Sequence, residues 1–251
     1  MRSEDLFPWM MAFIRAGGLL ALIPVFSGRN VPVPMRLAIA AFLGWAGSGV
    51  ARVPASALPA DVASLVLAAS HELLIGLLMG LGVRLVFFAL EMAGQIIATE
   101  MGIIASAQLD PISQNTSTPV GSALFMFASL VFLISGAHHA VFAAFVRSFE
   151  LVGPGTLSFQ RSAGEVFVHS TGNIFLIAVQ IAAPLMAINF VITLSFAILG
   201  KAAPGVNAFQ ESFGVRIIAG MTLLGLSIGL TAQLVLSHLR ASPELMLRMI
   251  P

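Results

Sequence analysis

The sequence predicts an all-α, polytopic membrane protein of about six apolar helices or hairpin arms, some of them kinked, with an internal polar loop. Three observations support this fold class. Only 9% of the 251 residues are charged, whereas soluble domains carry about 25%, and 58% are hydrophobic. Mean hydropathy is +0.99. The hydrophobic residues lie in long runs, interrupted by one polar stretch that a lipid-facing helix would not contain.

Six apolar runs follow one another at residues 6–26, 37–50, 62–90, 120–146, 173–200 and 215–239. A spanning helix takes roughly 20 residues, so four runs are long enough, the first is borderline and the second is short. Pro184 lies inside the fifth run, where the missing amide donor predicts two half-helices. Low-complexity tails are absent, and we expect a single domain over residues 1–251.

Basic residues leave the orientation of these runs open. If all six cross, one side of the membrane collects Arg2, Arg52, Arg147, Arg161, Arg240 and Arg248, and the other collects Arg29, Arg36, Lys201 and Arg216. This difference is too small to identify the cytoplasmic side. Either the C-terminal side is cytoplasmic and the signal is diluted, or some runs are hairpin arms that never cross fully. No cleavage site follows the first run, so we expect the N-terminus to be retained.

Composition and motifs argue against an enzyme, a metal site, a cofactor site or a nucleic-acid site. Cysteine is absent, and a net charge of +1 provides no basic surface for nucleic acid. His71-Glu72 begins an HExxH motif, but Ile75 stands where the second histidine would be. A GxSxG match at residues 225–229 lies in an apolar helical run, without the strand-turn-helix that exposes a serine nucleophile. The adjacent pair His138-His139 suits a helix end or an interface better than a metal site.

The polar stretch at about 105–119 is the candidate functional segment. Its polar and proline residues are Ser106, Gln108, Asp110, Pro111, Ser113, Gln114, Asn115, Thr116, Thr118 and Pro119. The two prolines disfavour helix at the residues before them, and the hydroxyl and amide side chains can bond the freed backbone locally. We therefore expect a loop that is buried in protein or wet. A static connector outside the membrane is the alternative.

A second set of polar residues lies inside the apolar runs and their continuations. Its members are Arg15, Glu72, Arg84, Glu91, Gln95 and Glu100. At 100° per residue, Arg84, Glu91 and Gln95 fall within about 40° of one another and form a stripe that leads to the polar loop. The stripe is either a wet or protein-facing lining, or a set of internal ion pairs without a role in transport. We expect Arg15 to pair with a carboxylate or to reach a wet surface.

Ionised groups inside the runs also bear on stability. Arg15, Glu72, Arg84 and Glu91 present more polar groups than a lone six-helix bundle is expected to satisfy, so the chain should depend on partner subunits. Small residues at four-residue spacing, Gly76 with Gly80 and Gly225 with Gly229, indicate close helix packing.

Several short sequences resemble those of one known family in order and spacing. They are Arg15, Pro24-Val25-Phe26, Pro34-Met35-Arg36, Glu72 to Gly76, Gly94 to Ile97, Met101-Gly102, Asp110-Pro111, Gln114, Asn115, Thr118-Pro119, His138, Ser148-Phe149, Gly155, Pro184-Leu185 and Ala203 to Phe209. Along most of its length the chain is similar to the FliR family of flagellar type III export-gate proteins. It departs from that family at Ser212-Phe213-Gly214, where Gly-Phe-Pro is usual.

The resemblance implies a subunit of a conduit for unfolded export substrates in the bacterial inner membrane, at the flagellar basal body. It implies assembly with FliP-like and FliQ-like subunits, beside FlhB-like and FlhA-like membrane proteins. In that family the helices form hairpins wound into a closed assembly, partly raised out of the bilayer, and an internal loop plugs the pore. The polar loop at 105–119 would then be a movable plug.

The turn between the last two apolar runs is a further candidate site, and two alternative functions stay open. Lys201 precedes a Pro-Gly turn that joins the last two runs, and we expect Pro204, Asn207 and Phe209 to form its tip, with Asn207 and Phe209 anchored against a neighbouring helix or subunit. The equivalent subunit of a virulence-type injectisome is one alternative. A small secondary transporter is another, since Pro184 predicts a broken helix, although the two halves of the chain show no convincing repeat.

Overall fold

The computed structural model describes residues 3–28, 31–50, 61–103, 118–155, 162–203, 205 and 207–250. Its helices are α1 (Ser3–Leu22), α2 (Pro24–Ser27), α3 (Val33–Ser48), α4 (Val62–Glu100), α5 (Pro119–Ile134), α6 (Ala137–Leu151), α7 (Ser162–Ala202) and α8 (Ala208–Arg248). All regular secondary structure in these ranges is helical, which confirms the all-α class.

Three helices are long and apolar enough to cross a membrane: Val62–Glu100, Gly164–Ala202 and Ala208–Arg248. The helices α5 and α6 add a fourth crossing if the pair forms one broken span. A helix of 39 residues is about 58 Å long, nearly twice the roughly 30 Å of hydrocarbon in a bilayer. Part of each long helix must therefore lie outside the hydrocarbon region.

Two of the predicted runs are organised differently in the structure. The run 120–146 is not one helix, because Gly136 adopts the left-handed conformation (φ 72°) and separates α5 from α6. The prediction of two half-helices at Pro184 is wrong, because α7 continues through this proline as one element. Proline removes only one amide donor, and the remaining helical hydrogen bonds are strongly favoured in apolar surroundings.

A capping box begins α4. Asp61 Oδ1 accepts the Ser64 backbone amide (3.0 Å), and Ser64 Oγ accepts the Asp61 amide (3.2 Å). The Ser64 side chain and, to a smaller extent, its backbone amide lower the pKa of the exposed Asp61 carboxyl below its ordinary value of 3.8. Asp61 and Ser64 thus cap the N-terminal end of α4.

Contacts divide the chain into two compact units. Unit 1 comprises Met1–Val86, Phe132–Thr171 and Ser237–Pro251. In it, α1 packs on α3, and glycines admit close approaches between helices. A Cβ at Gly80 would stand 2.6 Å from the Leu19 carbonyl oxygen, and one at Gly44 would stand 2.9 Å from the Phe13 nitrogen. Small residues therefore bring α1 into backbone contact with both α3 and α4.

Unit 2 comprises Phe87–Val131 and Gly172–Leu236. The second half of α4 lies against α5, where the backbones at Gly94 and Gly121 touch and the rings of Phe87 and Phe125 are 5.7 Å apart. At the C-terminal end of α4, the Met101 side chain lies against Gly220 of α8. Most of α7 and α8 faces outward, since only 28% and 6% of their most apolar windows are buried, compared with 61% for α4.

Candidate functional site

Most of the predicted plug loop lies outside the described residues. This applies to Ser106, Gln108, Asp110, Pro111, Ser113, Gln114, Asn115 and Thr116, whereas Thr118 and Pro119 are described. The structure does define both points at which the loop joins its helices, and both belong to unit 2.

The first attachment point is the C-terminal end of α4. Gly102 has φ +75°, and the amides of Gly102 and Ile103 donate to the carbonyls of Thr99 and Ala98, at 3.0 Å each. This is a Schellman ending, which needs glycine at the left-handed position. The Phe213 ring of α8 lies so close to Gly102 that a Cβ there would collide with it. The first end of the loop is therefore held by both backbone geometry and packing.

The second attachment point is the start of α5. Thr118 is buried, and its Oγ accepts the Gly121 amide (3.0 Å) and donates to the Gly94 carbonyl of α4 (3.4 Å). Pro119 occupies the first helical position, where the missing amide proton costs least. Gly94 and Gly102 are about 12 Å apart along α4, at 1.5 Å per residue. Both ends of the loop are thus attached within about two turns of one helix.

Two members of the second set of polar residues form a buried network in unit 1. Arg15 and Glu72 are both fully buried, and Arg15 Nε donates to Glu72 Oε2 at 2.6 Å while Nη2 donates to Oε1 at 3.1 Å. Such two-point pairing is the strongest arrangement of these groups. Pairing with a carboxylate is one of the two outcomes expected for Arg15.

The C-terminal end of α6 completes this network. Arg15 Nη1 donates to Ser148 Oγ (2.9 Å), and Nη2 donates to the Val152 carbonyl (3.1 Å). The Gly155 amide donates to Glu72 Oε1 (3.0 Å), and the Phe149 ring lies 4.1 Å from the guanidinium carbon. Arg15 and Glu72 are therefore satisfied within the chain, contrary to their place in the predicted excess of polar groups, while the dependence on partner subunits stays a prediction. Sequence reasoning missed these partners, since they lie far along the chain and include backbone groups.

The other four members of this set lie on the less buried side of α4. Arg84, Glu91 and Glu100 are half-buried, and Gln95 is exposed. Neighbours on the same side, Phe88, Met92 and Thr99, are exposed as well. These four residues are therefore less buried than Arg15 and Glu72. The Glu100 carboxylate accepts a hydrogen bond from the side-chain amide of Asn189 on α7.

Asn189 and Arg216 are site residues that sequence reasoning missed. Arg216 of α8 donates from Nη2 to Thr193 Oγ of α7 (3.2 Å). Its guanidinium carbon lies 5.8 Å from the Phe213 ring that packs on Gly102. Asn189 is one of three amide side chains in the fifth apolar run, with Asn173 and Gln180, and the sequence does not distinguish it from them. The sequence marks Arg216 only as one of the basic residues that bear on membrane orientation.

The predicted hairpin tip is partly described. Pro204 lies outside the described residues. Asn207 caps α8 through Gln210, whose amide donates to Asn207 Oδ1 at 3.4 Å. Phe209 is 67% exposed and contacts Phe213 of the same helix, with ring centroids 5.0 Å apart. Anchoring of Asn207 and Phe209 against a further subunit stays a prediction.

The GxSxG match and the His138-His139 pair both lie within helices. The GxSxG match at 225–229 lies inside α8, as expected, and Ser227 Oγ donates to the Leu224 carbonyl (3.2 Å). The His138 and His139 rings lie in the first turn of α6, with centroids 4.0 Å apart. Across the described ranges, no three His, Asp or Glu side chains are grouped for a metal ion.

Comparison with known proteins relates nearly the whole chain to one family. The family model "Bacterial export proteins, family 1" matches residues 6–242. The flagellar biosynthetic protein FliR of Bacillus subtilis is 30% identical over 225 residues, which cover 88% of this chain and 86% of that protein. FliR of Caulobacter vibrioides is 26% identical over 219 residues, 87% of each chain. The Yop proteins translocation protein T of Yersinia pestis is 28% identical over 168 residues, 65% of this chain and 64% of that protein.

Proposed function

Because this chain belongs to the bacterial export proteins, family 1, as a FliR-like member, we propose that it is a structural and gating subunit of a flagellar type III protein export gate. It is a membrane protein of bacterial protein export and flagellum biogenesis. The family match over residues 6–242 is the observation on which the proposal depends. The proposed location is the inner membrane at the flagellar basal body, and the proposed role involves no catalysis and no cofactor.

The chain contributes one part of the conduit and FliP-like and FliQ-like subunits contribute the rest, beside FlhB-like and FlhA-like proteins. The outward faces of α7 and α8 support this arrangement. In the most apolar 18-residue segments of these helices, only 28% and 6% of the residues are buried within the chain. Helices about 58 Å long exceed the hydrocarbon thickness, so lipid does not cover such faces along their whole length. Neighbouring apolar subunits would cover the remainder.

The loop at 105–119 acts as a movable plug of that conduit. Residues 103–117 join attachment points only about 12 Å apart along α4, while fifteen extended residues reach roughly 50 Å. The loop therefore has enough chain to project from α4 while its two ends stay fixed. Its polar side chains bury little apolar surface, so its displacement costs little compared with unfolding of the helices.

Shortening the loop tests the plug. Deleting several residues between Gln108 and Thr118 should make the assembled gate leak ions or small solutes, measured as ion flux into vesicles. A deletion of the same length within residues 52–59, between α3 and α4, is the matched control and should leave the gate tight. A shortened gate that assembled normally, stayed tight and exported filament protein at the normal rate would refute the plug.

Separate experiments test the assembly with partner subunits and the choice between a flagellar and an injectisome role. Affinity purification of the tagged chain from its own membrane should yield FliP-like and FliQ-like subunits, and Asn207→Ala with Phe209→Ala should reduce that yield and motility.

The similarity to a Yop translocation protein keeps an injectisome subunit as the second candidate. Loss of motility on deletion of the gene favours the flagellar role, whereas loss of virulence-type secretion with normal motility favours the other. The transporter alternative loses its main support, since α7 is unbroken at Pro184.

A further inference from the structure

A small cavity, lined mostly by apolar residues, lies in unit 2 between the C-terminal end of α4 and the helices α7 and α8. Its volume is about 10 Å³, and Glu100, Met101, Asn189, Arg216 and Gly220 are among the residues that line it. This volume matches the smallest space that holds one water molecule, roughly 10–15 Å³. Size therefore limits the occupant to a single heavy atom.

Two of the lining residues each carry a buried side-chain atom that has no hydrogen-bond partner among the described residues. These atoms are the acceptor Asn189 Oδ1 and the donor Arg216 Nε. The orientation of the Asn189 amide follows from chemistry, because its NH₂ group faces the Glu100 carboxylate, which only accepts when ionised. Its oxygen must then point elsewhere. One donor and one acceptor thus belong to residues that line the same cavity, and one bridging molecule would satisfy both.

The charges of the cavity select a neutral occupant. Arg216 disfavours a cation, and Glu100 disfavours an anion, while the two side chains form no direct ion pair with each other. Arg216 is instead held by its bond to Thr193 (3.2 Å) and by the Phe213 ring. A water molecule is neutral, small enough, and able to donate and accept at once.

We propose that one ordered water occupies this cavity, accepts the Arg216 Nε–H bond and donates to Asn189 Oδ1. A chain of hydrogen bonds then runs from Arg216 through the water and the Asn189 amide to Glu100, and it joins α4, α7 and α8. Glu100 immediately precedes Met101-Gly102, at the first attachment point of the polar loop. The inference is independent of the proposed export function, since it depends only on contacts within this chain.

Hydroxyl-radical footprinting tests the water directly, because X-rays generate radicals from water and a bound water labels the side chain beside it. Met101 is the reporter: it lines the cavity and is only 2% exposed. Met11 and Met79, both 0% exposed in unit 1, are matched buried controls. In the full-length protein, purified from its own membrane with any bound subunits, Met101 should form sulfoxide at least about tenfold faster than either control. A scavenger confined to bulk solvent should not slow it.

Two variants remove the polar groups that hold the water. Asn189→Leu and Arg216→Leu should each reduce the Met101 rate to that of Met79, whereas Gln180→Leu, an exposed change on the same helix, should leave it unchanged. Fast oxidation of Met79 in a variant identifies misfolding, and the wild-type comparison of Met101 with Met79 then decides. Equal rates for these two methionines in the wild type would overturn the proposal, as would Met101 labelling that persists in both folded variants.

Discussion

The two glycine pairs of this protein have the same spacing and opposite surroundings. In unit 1, Gly76 and Gly80 of α4 accommodate the backbone of α1 at Arg15 and Leu19. In unit 2, a Cβ at Gly225 or Gly229 of α8 would meet no other described atom within 4 Å beyond its own helix neighbourhood. Identical small-residue spacing thus serves packing within the chain in one unit and leaves a face open in the other.

The polar groups of the two units differ in the same way. Arg15 and Glu72 are fully buried and bonded to each other and to the end of α6. Glu100 and Arg216 are half-buried, and each bonds to a neutral side chain instead. Unit 1 therefore completes its own interior, whereas α7 and α8 of unit 2 present surface that the chain itself does not cover.

The largest expected effect comes from breaking the buried pair. Arg15→Met or Glu72→Leu alone should destabilise the protein by about 3–5 kcal/mol, because each leaves the other charge buried without its partner. The double variant should be much less destabilised than the sum of the two. Thermal unfolding in detergent measures all three. Additive losses in the double-mutant cycle would mean that the pair is not coupled.

The glycine pairs provide a matched comparison of the next size. Gly76→Ala should cost about 1–3 kcal/mol, since the new Cβ collides with the Arg15 carbonyl. Gly225→Ala meets no clash and should stabilise the isolated chain by about 0.5–1 kcal/mol, because alanine favours helix over glycine. Unfolding temperatures of the two variants check this. Equal destabilisation by both changes would contradict the contrast between the units.

A change at Thr118 tests whether the second end of the polar loop, at the start of α5, is held in place. Thr118→Ala removes the cap of α5 and the bond to Gly94, and should cost about 1 kcal/mol. Thr222→Ala on the exposed side of α8 is the control, and it should be nearly neutral. Hydrogen exchange of the amides at 120–122 should rise in the first variant only. Unchanged exchange there would show that Thr118 does not hold the loop end.

The smallest expected effect concerns the start of α4 and depends on pH. The pKa of Asp61 is lowered in the folded protein, first by the Ser64 side chain, so its stabilising contribution is present above the ordinary value of 3.8 and is lost as pH falls through the folded pKa. Asp61→Ala should therefore lower the unfolding temperature slightly at pH 7, and the difference should shrink below about pH 4. A difference that did not change with pH would exclude the carboxylate as its source.

Local sequence signals predicted the helical class and several helix ends correctly. Pro119 begins α5, and the GxSxG match lies within a helix, as the apolar pattern indicated. The break at Gly136 and the unbroken helix at Pro184 were not predicted. A glycine tolerates helix and a proline disfavours it only on average, and the surrounding packing decides which conformation is lowest in free energy.

Composition and run length determined the membrane class and the long helices, because hydrophobic transfer is a sum over residues and requires no knowledge of neighbours. The tertiary structure decided which polar groups are satisfied and which glycine face is filled. Arg15 reaches Glu72 across 57 positions and Ser148 across 133. A hydrogen bond depends on distances of a few tenths of an ångström between such remote atoms, and only the packed helices fix those distances.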